Sequence, residues 1–226
     1  MILAKLHSNN TAMAREYISI IYKIGQHISA HFEMIEARSY RGPTKGSWEG
    51  ISHLDWIPVA LKNFSLDVNG SLMRWQSPSD GTGRTACMGS IKLLPVEQIY
   101  SDWQGIVYFD FTENPRLRAF KIVDFFADEA CVGLYHDAEQ DPGLYFYDFE
   151  RGPYPLHLDV KGYLRLLEVT LGYSYWQRVV LDLLAGEDSP KIRQFRQDME
   201  AWVPEFDYNA FAALYHEVKL PSALPA

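Results

Sequence analysis

Four groups of residues in this chain have types and spacings that could do chemistry. His27 and His31 lie four apart, which on a helix brings two imidazoles to one face where they could grip a metal ion. Ile28 follows His27, so the glutamate of a metalloprotease motif is missing, and ordinary helix histidines account for the pair. Asp137, Glu139 and Asp141 follow His136 between two strand-like runs, an arrangement open to Ca²⁺ binding or acid–base chemistry. Pro142-Gly143 breaks the continuation of a calcium loop, and Asp148 stands where the closing glutamate belongs, which favours a solvated hairpin turn. Gly81-Thr-Gly83-Arg84-Thr85-Ala86 resembles the opening of a phosphate loop. It lacks the Gly-Lys-Ser/Thr ending and precedes a strand, whereas phosphate cradling uses a helix N-terminus, so a polar hairpin loop is expected. The fourth group is a charge block. Residues 101–160 hold twelve Asp and Glu against four Arg and Lys, which is the whole of the formal net charge of −8.

A block of this kind can give a folded domain a one-sided acidic field, which steers basic partners and repels nucleic acid. Lys191, Arg193 and Arg196 form a small basic cluster that reads as a solvated helix face, too small for a nucleic-acid footprint on an acidic body. No Gly-x-Ser-x-Gly elbow occurs. The two cysteines, Cys87 and Cys131, have no metal-ligand spacing and read as free, buried thiols of a reducing cytosol. The first residues, Met1 to His7, are too short and polar an apolar run for a signal peptide. No stretch approaches the ~18 apolar residues of a membrane span. A cytoplasmic protein with no cofactor and no metal is expected.

The elements that must position these groups can be read from periodicity. Ala14, Tyr17, Ile18, Ile21, Ile24, Ile28, Phe32 and Ile35 predict one amphipathic helix from Thr11 to about Ala37. Ser39 to Gly50 carries three Gly and one Pro and reads as a loop or linker. Pro58 fits the first turn of a short helix with Leu61 and Phe64 inward, and Asn69-Gly70 supplies the positive φ of the turn that follows. Strands are expected at Ser71–Trp75, within Ala86–Leu94, and at Ile106–Phe109, Ala119–Val123, Cys131–Tyr135 and Gly143–Tyr147. Their short spacing favours an antiparallel meander. Asp159 reads as an N-cap, Ser189-Pro190 restarts a helix and Asp207 begins another, with Gly172 and Gly186 as stops. The fold class is therefore α+β: an antiparallel sheet flanked by helices, with an N-terminal helix and a helical C-terminal extension. Residues 1–45 form the helix and linker, 46–172 the core, and 173–226 the extension packed on it.

Two segments resemble the SUKH superfamily. Trp56-Ile-Pro58 through Phe64 to Asn69-Gly70 is similar to the family's Leu-Pro, Phe-Leu, Asn-Gly opening. Phe120-Lys-Ile-Val123 through Leu134-Tyr-His-Asp137 to Leu144-Tyr-Phe-Tyr-Asp148, closing on Leu156, Tyr163-Leu164 and Leu166-Leu167, resembles its run of strand, hairpin, strand and final helix. Ala127-Asp128-Glu129-Ala130 departs from the family's Gly-rich turn. The helices before residue 40 and after 172 lie outside the match. The resemblance implies an α+β fold without catalytic residues, and a role as an immunity protein that binds and blocks a toxin, often a nuclease, or as an interaction scaffold.

The acidic block fits the first role by independent reasoning, because nuclease domains tend to be basic. Partner contacts are expected at Asp124, Asp128, Glu129, Asp137, Glu139 and Asp141, around an aromatic anchor at Tyr135 or Tyr147. Solvated turns are the competing reading of the same carboxylates. The expected partner is a protein, a basic toxin domain, with homodimerisation through the terminal helices open and no nucleic acid or membrane. An enzyme with a carboxylate or histidine site assembled only in the fold is the third reading.

Overall fold

The computed structural model describes residues 2–39, 57–78, 86–112, 114–137 and 143–221, with side chains from residue 16 onward. Among them lie seven strands in a single antiparallel sheet in which every strand pairs with its sequence neighbour, in the order β1 to β7. The strands are β1 (Glu33–Ser39), β2 (Ser71–Gln76), β3 (Met88–Leu93), β4 (Phe120–Ala127), β5 (Ala130–Tyr135), β6 (Tyr145–Asp148) and β7 (Gly152–Pro155). The helices are α1 (Ile2–His31), α2 (Val59–Asp67), α3 (Val96–Ile99), a 3₁₀ turn at Pro115–Ala119, α4 (Val160–Thr170), α5 (Trp176–Ala185), α6 (Pro190–Trp202) and α7 (Tyr208–Val218). The fold is α+β with N-terminal and C-terminal helices.

Helix α1 ends at His31 rather than running to Ala37. Tyr17, Ile21, Ile24, Ile28 and Phe32 of the apolar stripe are buried, but Ile18 and Ile35 are exposed. Ile35 lies in β1, at the register shift between Met34 and Glu36 where the strand bulges against β2. Phe32 ends the helical stripe by stacking on Trp75, with ring centroids 3.9 Å apart. Trp75 in turn donates its indole N–H to the Leu171 carbonyl (2.6 Å) and covers Gly89, where a Cβ would come within 2.4 Å of the indole ring.

Two further elements differ from expectation. Ile106–Phe109 is a loop, not a strand: the amides of Ile106 and Val107 both bond the Trp103 carbonyl, closing a turn. Gly152–Pro155 is a strand although it contains two prolines. β7 is the sheet's last strand, so a missing N–H disturbs pairing on one side only.

The helix starts follow the sequence. Asp159 accepts from the Gly162 amide (2.7 Å), Ser189 from Ile192 (3.1 Å) and Asp207 from Asn209 (2.8 Å). Asn69 and Gly70 both have positive φ, 49° and 106°. Cys87 and Cys131 are free and buried, and burial pushes both thiols up, Cys87 to about 11.

Alternation along the strands divides the sheet's contacts between two faces. Trp75, Ile91, Asp124, Phe126, Phe146 and Asp148 meet residues of the helical segments: Trp75 bonds Leu171, Asp124 bonds Tyr163, Phe126 packs edge-on to Tyr175, and Asp148 pairs with Arg178. Phe125, Tyr145 and Tyr147 point the other way. Phe125 and Tyr147 meet the connection between β3 and β4, residues 94–119, at Trp103 and Val107.

Candidate protein-docking face

The acidic block separates once folded. Asp124 is wholly buried; it accepts from the Lys92 amide (2.8 Å) and from the Tyr163 hydroxyl (2.7 Å), and burial raises its carboxyl to about 6. No partner can reach it, so its expected role in ion pairing is corrected to an interior one. Asp148 pairs with Arg178, and Asp159 caps α4. Tyr135 and Tyr147, the expected aromatic anchors, are also interior, with 2 % and 6 % of their surface exposed. Tyr135 lies under the Arg116 guanidinium at 3.9 Å from its ring centroid and edge-on to Phe120. Tyr147 donates its hydroxyl to the Val107 carbonyl (3.1 Å). Both are large side chains on β-strands facing the 94–119 connection, and that connection covers them.

The remaining expected residues fall in separate places. Asp128 and Glu129 form the exposed tip of the β4–β5 hairpin, and Glu129 accepts from the Tyr175 hydroxyl. Asp137 is exposed after β5, while Glu139 and Asp141 lie outside the described residues. The Gly81–Thr85 segment also lies outside them. His27 and His31 both turn to one carboxylate oxygen of Glu205, at 3.7 Å and 3.0 Å. Among the described residues no group of three or more His, Cys, Asp or Glu is arranged to hold a metal ion.

What the charge pattern did not point to is an aromatic knob on the 94–119 connection. Phe109 and Phe111 stack almost parallel, 5.2 Å apart and inclined by 9°. Phe111 is 82 % exposed, and Ile106 beside them is exposed as well. A phenylalanine that far out gains nothing from burial in the monomer, whereas interface hot spots are commonly aromatic.

The loop that carries the knob is braced from within. Val107 is buried; Trp103 donates to the Ile99 carbonyl (3.0 Å) and meets Phe125 edge-on. Asp102 accepts from the Tyr108 hydroxyl and from the Gln104 amide (3.1 Å), and Gln104 reaches across to Asp110 (2.8 Å). The Tyr108 hydroxyl, above all, holds the Asp102 carboxyl below its ordinary value. Phe109 N–H donates to the Thr112 hydroxyl oxygen (2.7 Å), fixing the turn between the two rings. Asp102 and Asp110, both bonded to Gln104, are exposed on the same loop as the aromatic residues. Among the described residues of the 101–160 block, six carboxylates (Asp102, Asp110, Asp128, Glu129, Asp137 and Glu150) and three basic residues (Arg116, Arg118 and Arg151) are exposed.

A signal for the knob was present in the sequence. Phe111 stands between Asp110 and Thr112-Glu113, just before Asn114-Pro115, a polar turn context for an aromatic ring. No family model, no curated protein and no solved structure matches this chain.

Proposed function

We propose that this protein is a non-catalytic binding module that docks a basic protein partner through the Phe109–Phe111 knob and its flanking carboxylates. The stacked, solvent-facing phenylalanines carry the reading. An apolar centre with a charged rim is the anatomy of a specific interface, where the aromatic residues supply affinity and the rim sets partner sign and association rate. On the knob's own loop the exposed carboxylates Asp102 and Asp110 favour a cationic partner, with Arg118 near by over the Tyr108 ring. With the resemblance to the SUKH superfamily, these features support a specific form of the proposal: an immunity-type protein that neutralises a basic toxin domain.

The test is capture of partners from source cells by the tagged protein, at low and high salt, beside a Phe109→Ser/Phe111→Ser variant. One basic protein should be retained by the native chain, weakened at high salt by screening, and lost by the variant. Equal recovery by both would sink the docking face.

A further inference from the structure

On the helix-covered face, a cleft of about 560 Å³ opens between β6, β7 and α5, with the start of α6 at its rim. Its floor is apolar, from Phe146 and Leu181, and Tyr175 and Tyr154 stand at its sides. Three cations line it: Arg151, Arg178 and Lys191. The Lys191 ammonium and the Arg178 guanidinium both lie over the Tyr175 ring, 5.3 Å and 5.5 Å from its centroid. Arg178 also approaches Phe146, at 5.6 Å. Tyr175 holds this position with a φ of 59°, the left-handed region that a non-glycine residue adopts at a cost, and its hydroxyl is tied to Glu129.

Three acidic residues share the lining, and one of them neutralises one of the three cations. Asp148 is engaged by Arg178 and by the amides of Glu150 (3.0 Å) and Arg151 (3.3 Å). Asp182 accepts from the Ser189 hydroxyl. Glu187 is exposed at the edge. Among the described residues neither Lys191 nor Arg151 forms an ion pair. Burial, and next the nearby Arg178, hold the Lys191 ammonium below its ordinary value, against a smaller opposing pull from Asp182 and Asp198. Lys191 is half-buried beside an arginine, and Asp182 and Asp198 act on it without forming an ion pair, so an incoming anion could contact its ammonium directly.

We infer that this cleft binds a small ligand carrying a phosphate group on a planar body. A phosphate brings several acceptor oxygens, enough to reach Lys191 and Arg151 together, the two cations of the lining that form no ion pair among the described residues. The planar body is suited to the tyrosine rings and the Phe146–Leu181 floor, and the volume lies in the range of small-molecule sites. The inference does not depend on the docking face, which projects from the opposite side of the sheet.

Titration calorimetry on the full chain with the four 5′-mononucleotides, adenosine and inorganic phosphate tests it. At least one mononucleotide should bind at one site per chain, more tightly than phosphate, with adenosine weaker still. Lys191→Ala and Arg151→Ala should each weaken that binding by roughly tenfold. Arg151 is exposed, so its truncation leaves folding intact even if the lysine variant melts early. No saturable binding by any phosphate-bearing probe, or binding unchanged in both variants, would overturn the site. Phosphate binding as tightly as every mononucleotide would strike out the planar body.

Discussion

The two faces of the sheet solve opposite problems with the same kinds of residue. On the helix-covered face, Tyr175 is fixed in a concavity, its hydroxyl held by Glu129 and its ring flanked by Arg178 and Lys191. On the other face, Phe109 and Phe111 are pushed outward by a braced loop, with carboxylates beside them. In the proposed reading, the hollow offers Lys191 and Arg151 outside ion pairs to a small anion, and the knob offers Asp102 and Asp110 on its own loop to a cationic surface. Neighbouring residues of β6 reach both. Phe146 lines the hollow, while the Tyr147 hydroxyl secures the loop that bears the knob. Successive residues on a strand point to opposite faces, so one four-residue strand positions two sites.

The firmest way to test this division is to spoil the packing on one face. Gly133 of β5 lies under the Phe120 ring, and a Cβ there would come within 2.5 Å of that ring and 2.4 Å of the Lys121 carbonyl. Gly133→Ala should destabilise by about 3–5 kcal/mol in urea melts, because backbone and an interior ring must both move. Gly25 on α1 is the contrast: its Cβ would meet only Met73 at 3.7 Å. Gly25→Ala should be neutral or stabilise by up to about 1 kcal/mol through helix propensity. Equal effects of the two changes would mean that β4 and β5 are not packed as described.

The next effect belongs to the helix-covered face. Asp124 is raised to about 6 by burial, so the folded chain keeps this proton at a pH where the unfolded chain has lost it. Its contribution to stability is therefore greatest in acid and falls as pH rises from about 4 to about 6, by at most about 3 kcal/mol. Asp67, also raised to about 6 by desolvation, acts in the same direction, so the informative quantity is the difference between native chain and Asp124→Asn. The variant should lose part of the pH slope between 4 and 7 in denaturant midpoints. Parallel profiles for the two proteins would show that Asp124 is charged when folded.

A smaller change should loosen the knob and spare the hollow. Tyr147→Phe removes the hydrogen bond to the Val107 carbonyl at a cost of about 1 kcal/mol. Amide exchange at Ile106 and Val107, whose N–H groups bond Trp103, should quicken, while that of α5 stays as it is. Faster exchange in both places would mean that the faces are not independent.

How far the sequence foretold all this differs between fold and site. The Asp159 cap, the helix starts at Ser189 and Asp207, the Asn69-Gly70 turn and strands β2 to β6 were legible because each rests on local stereochemistry. β7 was not, since two prolines argue against a strand unless one knows that it stands at an edge. The end of α1 was misplaced because Phe32 continues the helical stripe while its ring already belongs to Trp75. The site was less legible for a related reason. A run of carboxylates along the chain says nothing of which face each one takes, and folding sent Asp124 inward, Asp148 to an arginine and Glu129 to a tyrosine. Lys191 reads as one of three solvated cations on α6, yet its place at the cleft depends on α5 lying beside it.

The last comparison separates binding from folding. Phe111 is 82 % and Phe109 42 % exposed, so Phe109→Ser/Phe111→Ser should lower stability by no more than about 1–2 kcal/mol, most of it from Phe109. The same pair at the centre of an interface would carry much of its energy, and its loss should weaken partner binding by roughly a hundredfold. Mononucleotide binding in the cleft should be untouched, because the knob contributes nothing to its lining. A large drop in stability would reassign the phenylalanines to the core. Unchanged partner affinity would leave the hollow as the molecule's binding site and the knob as a surface feature without a partner.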